Sequence, residues 1–345
     1  MAKQYTGKER VEAVFQREKA DRIPVIPGLT IHLAPQAGYG LNEARLDPEK
    51  AWKTFLLSEE MLPSDLVGVP ANPYLPDAIR SRQESVMAPE ARGQRRLADK
   101  ASLDTFSYRP PKESRAYVTF LDTARRTVAT LPDRAVNALV GAPWSIAAEL
   151  RGIEQLIYDT ADDPEFVHRL MQVCTQMCLD RALAMAETGV YLKIADPTAG
   201  CSLISPKIYR EFAKPYQEQV FNRLRQETNV RIGLHMCGYV DPIMEDLISL
   251  PIDWFELDSL SSLERMASLS QGKIVIRGNM SATVFVEGTK DEIYAEVKRC
   301  VDAAGQTNPL MLAPGCSIPY TAPAEKIKDF LEASYKYGSY DYING

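Results

Sequence analysis

The sequence contains little of what nucleic-acid-binding and membrane proteins need. Its 40 Lys and Arg residues are outnumbered by 46 Asp and Glu residues, for a formal charge of −6, and the basic residues form no extended run. Because proteins bind phosphate backbones through a basic face, we expect no nucleic-acid partner. No stretch approaches the roughly 18 apolar residues of a membrane span, so we expect no membrane partner either.

The first residues, Met1-Ala-Lys-Gln-Tyr5, lack the apolar segment of a signal peptide. We therefore expect a cytoplasmic protein, in which the six cysteines are reduced. Clustered cysteines in such a protein favour a metal or catalytic site over disulfides. With only three histidines in the chain, the position of each is informative.

Short apolar runs alternate with longer segments of helical spacing along most of the chain. Eight runs are candidate strands: Arg22–Ile26, Leu66–Val69, Ala135–Val140, Val190–Ala195, Val230–Leu234, Trp254–Leu257, Lys273–Ile276 and Leu310–Ala313. This alternation predicts a parallel sheet with helical crossovers. Since eight such units close into a barrel, we predict an α/β protein, a single (β/α)8 TIM barrel over residues 1–345.

Two segments fall outside the repeat. Residues 1–20 predict an N-terminal amphipathic helix, with Val11, Val14 and Phe15 on one side, that plugs the base of the barrel. Residues 70–115, after the second strand, are rich in Pro, Arg and Ser and have no clear periodicity. We predict that they form a long excursion over the barrel mouth.

The segment Leu234-His-Met-Cys-Gly238 ends the fifth candidate strand. Residues two apart on an extended chain project to one face, so His235 and Cys237 point into the same cavity. An imidazole nitrogen and a thiolate sulfur are zinc ligands. Cys316 supplies a third ligand just beyond the last strand, because the strand ends of a barrel ring one mouth. The alternative is that each is an ordinary core residue, as most single cysteines are.

Further polar residues end strands at this face: Asp196, Glu256, Asp258 and Asn279. Taken singly, each is also a favoured turn or helix-cap residue. Because a substrate site needs convergent polar groups, we assign catalytic or orienting roles to Asp196, Asp258 and Asn279.

The other cysteines and histidines give weaker signals. Cys174 and Cys178 lie four residues apart in an amphipathic segment, where helix packing is a better interpretation than a metal pair. Cys300 is expected to be buried on a helix. The roles of His32 and Cys201, which follow candidate strands, stay open.

Three motifs carry a family resemblance: Leu234-His-Met-Cys-Gly238, Gly278-Asn-Met-Ser281 and Leu312-Ala-Pro-Gly-Cys-Ser-Ile-Pro-Tyr-Thr-Ala-Pro323. Together they resemble the uroporphyrinogen decarboxylase superfamily, and within it the zinc-dependent corrinoid methyltransferases such as the methylcobamide:coenzyme M methyltransferases. The resemblance covers nearly the whole chain. It implies Zn²⁺ on His235, Cys237 and Cys316, and a corrinoid carried by a partner protein.

The resemblance also implies a reaction, the movement of a methyl group between a methyl-cobalt corrinoid protein and a zinc-activated small molecule. That molecule is a thiol acceptor such as coenzyme M or, in the reverse sense, a methyl donor. The alternative is a decarboxylase. Pro35-Gln-Ala-Gly-Tyr39 lacks the two arginines that hold propionate groups in decarboxylases, and a polycarboxylate substrate needs cationic partners. A structural zinc protein, with four protein ligands, is a further alternative.

Overall fold

The computed structural model describes residues 4–70, 97–305 and 308–344. These residues contain a sheet in which each strand pairs in parallel with the next one along the chain. Its strands are β1 Leu66–Gly68, β2 Ala135–Gly141, β3 Tyr191–Ala195, β4 Ile232–Met236, β5 Trp254–Leu257, β6 Val275–Arg277 and β7 Leu310–Met311. The fold class predicted from the sequence, an α/β barrel with helical crossovers, is confirmed.

Helices precede, connect and follow these strands. They are α1 Gly7–Phe15, α2 Leu41–Leu46, α3 Pro48–Met61, α4 Arg115–Thr130, α5 Pro143–Arg151, α6 Ile153–Asp162, α7 Pro164–Ala186, α8 Pro206–Ile208, α9 Lys214–Glu227, α10 Met244–Ser249, α11 Leu263–Ser270, α12 Lys290–Cys300, α13 Ala324–Tyr337 and α14 Tyr340–Asn344. Shorter 3₁₀ or π turns are Lys100–Thr105, Pro111–Glu113, Tyr209–Ala213, Asp241–Ile243, Ala282–Phe285 and Val301–Gly305. Within the described ranges, no helix combines the length and apolarity needed to cross a bilayer.

The segment Arg22–Ile26 joins the two outer strands of the sheet. The carbonyl of Pro24 accepts a hydrogen bond from the Leu312 amide at 2.9 Å, and that of Val25 accepts one from the Asp65 amide at 3.0 Å. The segment thus takes the eighth position of the barrel. It forms isolated bridges rather than the regular strand predicted from the sequence, because proline has no N–H to donate to a ladder.

Helix α1 covers the amino-terminal end of the barrel, as the sequence predicts. Thr6 begins it with a capping box to Glu9. Its buried residues Val11, Val14 and Phe15 belong to one cluster with the first residues of several strands. Those residues are Leu66, Ala135, Trp254 and Val275, with Tyr191 packed against them. The base of the barrel is therefore closed by apolar contacts, which leaves the opposite end for a site.

Most of the predicted excursion over the mouth, residues 71–96, lies outside the described residues, so its placement stays a prediction. The described remainder runs along the outer helices. Lys100 pairs with Asp163 at the start of α7, and Lys112 pairs with Glu187 just after its end, each at 3.0 Å. This part of the segment contributes to the outer layer of the barrel.

Substituting Gly233 tests how tightly the barrel interior is packed. An added Cβ would lie 1.9 Å from Cε2 of the buried Trp254, whereas at Gly68 it would meet no atom within 4 Å. We expect Gly233→Ala to lower the free energy of unfolding by about 2 kcal/mol or more, the usual scale of overpacking. Gly68→Ala should stay within about 0.5 kcal/mol of the parent. Urea unfolding of both variants measures this, and equal stabilities would contradict the packing described.

Candidate metal centre

Three donor side chains meet at the carboxyl end of the barrel. His235 is the penultimate residue of β4, Cys237 follows that strand, and Cys316 lies in the loop after β7. Nε2 of His235 is 3.1 Å from Sγ of Cys237, and the two sulfurs are 3.8 Å apart. All three donor atoms lie within 4.8 Å of one another. The structure therefore brings together the three ligands predicted from the sequence.

The donor set fits zinc. Tetrahedral zinc with bonds of about 2.3 Å to sulfur and about 2.0 Å to nitrogen places two sulfurs about 3.8 Å apart and sulfur about 3.5 Å from nitrogen. The observed separations of 3.8 and 3.1 Å are close to these values. Within the part of the chain that the structure describes, no further His, Cys, Asp or Glu joins the group. Three protein ligands with an open fourth position are typical of catalytic zinc.

The two thiols differ in how readily they ionise. Hydrogen bonds with Cys237 and, to a smaller extent, with His235 lower the pKa of the Cys316 thiol well below the usual thiol range. The same sulfur contact, together with burial, raises the pKa of Cys237. Since the thiolate is the metal-binding form, the site favours one thiolate before any cation arrives. A bound divalent cation would favour the second.

A close backbone approach places Cys316 beside the end of β5. A Cβ on the preceding residue, Gly315, would lie 2.5 Å from the amide nitrogen of Ser259 and 2.9 Å from the carbonyl oxygen of Leu257. Because glycine lacks that atom, the loop after β7 passes directly over β5. This contact carries Cys316 toward the residues that follow β4.

His32 anchors the same loop from the other side. Its Nε2 lies 2.8 Å from the carbonyl oxygen of Ile318, and its ring is 4.7 Å from that of Tyr320. Burial lowers the pKa of His32 below that of a free histidine. A neutral ring that donates to Ile318 holds the chain two residues beyond Cys316. His32, whose role the sequence leaves open, thus holds this loop in place.

The other cysteines stand apart from the metal group. Cys201 is half-buried in the loop after β3, and its amide donates to the carbonyl of Tyr239 at 2.8 Å. Cys174 and Cys178 are fully buried on α7, as helix packing predicts, and Cys300 is buried at the end of α12.

Asp258 fixes the chain next to Cys237. Its Oδ2 accepts a hydrogen bond from the Gly238 amide at 2.9 Å, and its Oδ1 accepts one from the Leu260 amide at 3.0 Å. The carboxylate therefore links the end of β5 to the residue that follows the metal ligand. This contact is that of a positioning residue.

The side chains of Asp196 and Asn279 form hydrogen bonds with residues outside the donor group. Both oxygens of Asp196 are used, one by the amide and hydroxyl of Ser145 and the other by the side-chain amide of Gln217. Asn279 donates from Nδ2 to the carbonyl of Ser261 at 2.9 Å and accepts at Oδ1 from Arg299 at 3.1 Å. The contacts tie loops at the mouth to neighbouring elements, and a catalytic role for either residue stays a prediction.

A carboxylate to which the sequence interpretation gave no role lies on the Nδ1 side of the imidazole. Oε1 of Glu256 lies 3.3 Å from Nδ1 of His235, without hydrogen-bond geometry, and among the described residues Nδ1 has no hydrogen-bond partner. Oε2 of Glu256 lies 3.2 Å from Nζ of Lys193 and 3.1 Å from Nη1 of Arg277. A carboxylate behind a histidine ligand is the usual support of a metal-bound imidazole.

Glu256 is ionised in this environment. Burial alone would raise the pKa of Glu256, but Arg277 and Lys193 outweigh it and hold that pKa at about 2. The sequence does contain a signal for this group, since Lys193, Glu256 and Arg277 interrupt otherwise apolar strands. His235, Glu256 and Arg277 are also paired in register across β4, β5 and β6, so their side chains share the inner face.

Comparison with known proteins shows the family of the chain. The family model described as "Uroporphyrinogen decarboxylase (URO-D)" matches residues 6–337. The chain belongs to this family.

Within it, the chain is similar to methyltransferases and to decarboxylases. It is 25% identical to the methylcobamide:CoM methyltransferase MtaA of Methanosarcina barkeri, over 97% of this chain and 99% of that protein. It is 24% identical to the uroporphyrinogen decarboxylase of Gloeobacter violaceus, over 84% and 82%. A solved methyltransferase from Methanosarcina mazei superposes with a TM-score of 0.78 at 22% identity, over 97% and 99%. The structural likeness establishes the shared fold.

Removing one sulfur tests the metal centre. We expect purified Cys316→Ala to hold far less zinc than the parent, because two ligands remain where three met, while its melting temperature changes little. Cys201→Ala is the matched control, as its thiol lies outside the donor group. Elemental analysis measures zinc per chain. Equal zinc in the two variants would remove Cys316 from the site.

Asp258 is expected to act on metal affinity through the chain beside Cys237. In Asp258→Asn, an NH2 group replaces one of the two carboxylate oxygens, so the amide of Gly238 or that of Leu260 loses its acceptor. Zinc affinity should fall about 10- to 100-fold, the usual effect of losing a residue that supports a ligand. Asp241→Asn is the control, since Asp241 also accepts from a backbone amide, that of Ser262, in a neighbouring loop. Competition with a chromophoric chelator measures both affinities, and equal affinities would refute this role.

Proposed function

We propose that this protein is a zinc-dependent methyltransferase that moves a methyl group between a corrinoid protein and a small molecule. The small molecule is a thiol that accepts the methyl group or, in the reverse direction, a methylated compound that donates it. The observation that carries the proposal is the group of one imidazole nitrogen and two sulfurs within 4.8 Å at the barrel mouth. Similarity to methylcobamide:CoM methyltransferases over nearly the whole chain supports it.

The residues divide into ligands and supports. His235, Cys237 and Cys316 would hold zinc, and Glu256 would accept a hydrogen bond from Nδ1 of His235, which leaves Nε2 as the ligand atom. Zinc at this site would hold a bound thiol as a thiolate at neutral pH, or would activate the heteroatom that leaves a methyl donor.

The charges of the ligands suit this chemistry. Two thiolates and a neutral imidazole would together cancel the charge of a divalent cation, so a bound substrate thiolate would not be held by excess positive charge and would stay nucleophilic. The ionised carboxylate of Glu256 contacts Lys193 and Arg277 as well as the imidazole.

The rim of the mouth suits a protein partner. Large apolar side chains are exposed in loops that follow four of the strands: Leu203 (51% exposed) after β3, Tyr239 (43%) after β4, Leu260 (69%) after β5 and Tyr320 (41%) after β7. Apolar residues concentrated in one region of a surface mark protein interaction sites. A corrinoid carried by a partner protein would approach the metal centre across this rim.

A methyl-transfer assay tests the proposal directly. Zinc-loaded protein should convert methylcobalamin and a thiol, drawn from a panel that includes coenzyme M, to cob(I)alamin and the thioether. In the reverse direction, cob(I)alamin and methylated thiols, amines or ethers should give methylcobalamin. The corrinoid absorbance reports both reactions, and Cys316→Ala should abolish them while Cys201→Ala should not.

The competing functions give different results in the same experiment. A uroporphyrinogen decarboxylase would release CO2 from uroporphyrinogen without metal and would ignore methylcobalamin. A structural zinc protein would bind zinc but turn over neither substrate. Either result, together with the absence of methyl transfer in each of the two directions, would reject the proposed function.

A further inference from the structure

Arg277 is a buried cation whose hydrogen-bonding capacity is not used. Its side chain is 6% exposed, and among the described residues Nε and Nη1 have no hydrogen-bond acceptor. Its contact with Glu256, at 3.1 Å from Nη1 to Oε2, is an ion pair without hydrogen-bond geometry. Guanidinium groups buried in proteins ordinarily have their N–H groups satisfied, because leaving them unpaired is costly.

Glu256 is shared between two buried cations. Its Oε2 is shared by Arg277 and by Nζ of Lys193, which lies 3.2 Å away. One carboxylate therefore faces two buried cations. The carboxylate of Asp258, at the end of the same strand, accepts hydrogen bonds from the amides of Gly238 and Leu260. Neither carboxylate therefore accepts a hydrogen bond from the unpaired N–H groups of Arg277.

The guanidinium lies beside the opening of the barrel. A Cβ added at Gly28 would lie 3.7 Å from Nη2 of Arg277, and Gly28 is exposed, with a φ of +69°. Arg277 is also two strands from His235 in the same row, about 10 Å across the sheet at the usual strand spacing. A small molecule bound at the metal ligands is therefore within reach of this side chain.

We propose that Arg277 binds an oxyanion, a carboxylate or sulfonate, on the small-molecule substrate of this enzyme. The inference rests on the proposed function for the identity of that substrate as the thiol or methylated compound. The planar guanidinium supplies paired N–H donors that match two oxygens of such a group. The site would then hold a short molecule at both ends, with its heteroatom at the metal ligands and its anionic group at β6.

Binding of simple anions tests the site without any methyl transfer. Propionate and ethanesulfonate should bind to the purified protein, metal-free or zinc-loaded, in titration calorimetry. Arg277→Gln should weaken this binding about 10- to 100-fold, the effect of losing charge-assisted hydrogen bonds. Arg125→Gln is the control, because it removes the same charge from the exposed face of α4. The stronger of the two anions identifies the oxyanion class.

Stability separates a binding role from a structural one. With Arg277 replaced by Gln, Lys193 alone still neutralises Glu256, so the unfolding temperature should stay unchanged or rise. If the variant loses stability but keeps its anion affinity, Arg277 is a structural ion-pair partner and the inference is wrong. If the unaltered protein binds neither anion, the inference is also wrong.

Turnover provides the matching readout. The KM for 3-mercaptopropionate should rise about 10- to 100-fold in Arg277→Gln, whereas that for the neutral 3-mercapto-1-propanol should be unaffected. Equal changes for both thiols would overturn the assignment while leaving methyl transfer established. Anion binding that depends on Arg277 in a protein without methyl transfer would uphold the anion site and reject the proposed reaction.

Discussion

Closure of a parallel barrel brings the carboxyl ends of all its strands to one mouth, and the metal centre depends on that closure. His235 and Cys237 come from the end of β4, and Cys316 comes from the loop after β7, yet their donor atoms lie within 4.8 Å. Arg22–Ile26 completes the ring through backbone hydrogen bonds to both outer strands. Helix α1 closes the other end with apolar contacts, so that polar chemistry is confined to the mouth.

Around the donors, charge is arranged in a row across the inner face of the sheet. Glu256 lies between the imidazole of His235 on one side and the cations Lys193 and Arg277 on the other. Burying charges is costly unless they are paired, and even paired buried charges are weak evidence of a gain in stability. One carboxylate thus contacts the imidazole and also a guanidinium with unpaired N–H donors.

Much of this follows from the sequence, and the exceptions have physical causes. The alternation of strand and helix predicts the barrel, and His235, Cys237 and Cys316 are identifiable from spacing and strand ends. The prediction of a regular first strand at Arg22–Ile26 is wrong, because proline has no N–H group to donate to the hydrogen bonds of a sheet. Glu256 and Arg277 received no role because their function depends on register between strands, which a single sequence does not contain. The catalytic or orienting role that the sequence assigns to Asp258 stays a prediction, and its contact with Gly238 depends on loop geometry that a single sequence does not contain.

X-ray absorption at the zinc edge tests the central claim most directly, because it counts the atoms bound to the metal. Zinc-loaded protein should show two sulfurs, one imidazole nitrogen and one exchangeable light atom. Addition of an accepted thiol should raise the sulfur count to three. A site with four protein ligands that does not change with thiol, or zinc without sulfur ligands, would contradict a catalytic centre built on His235, Cys237 and Cys316.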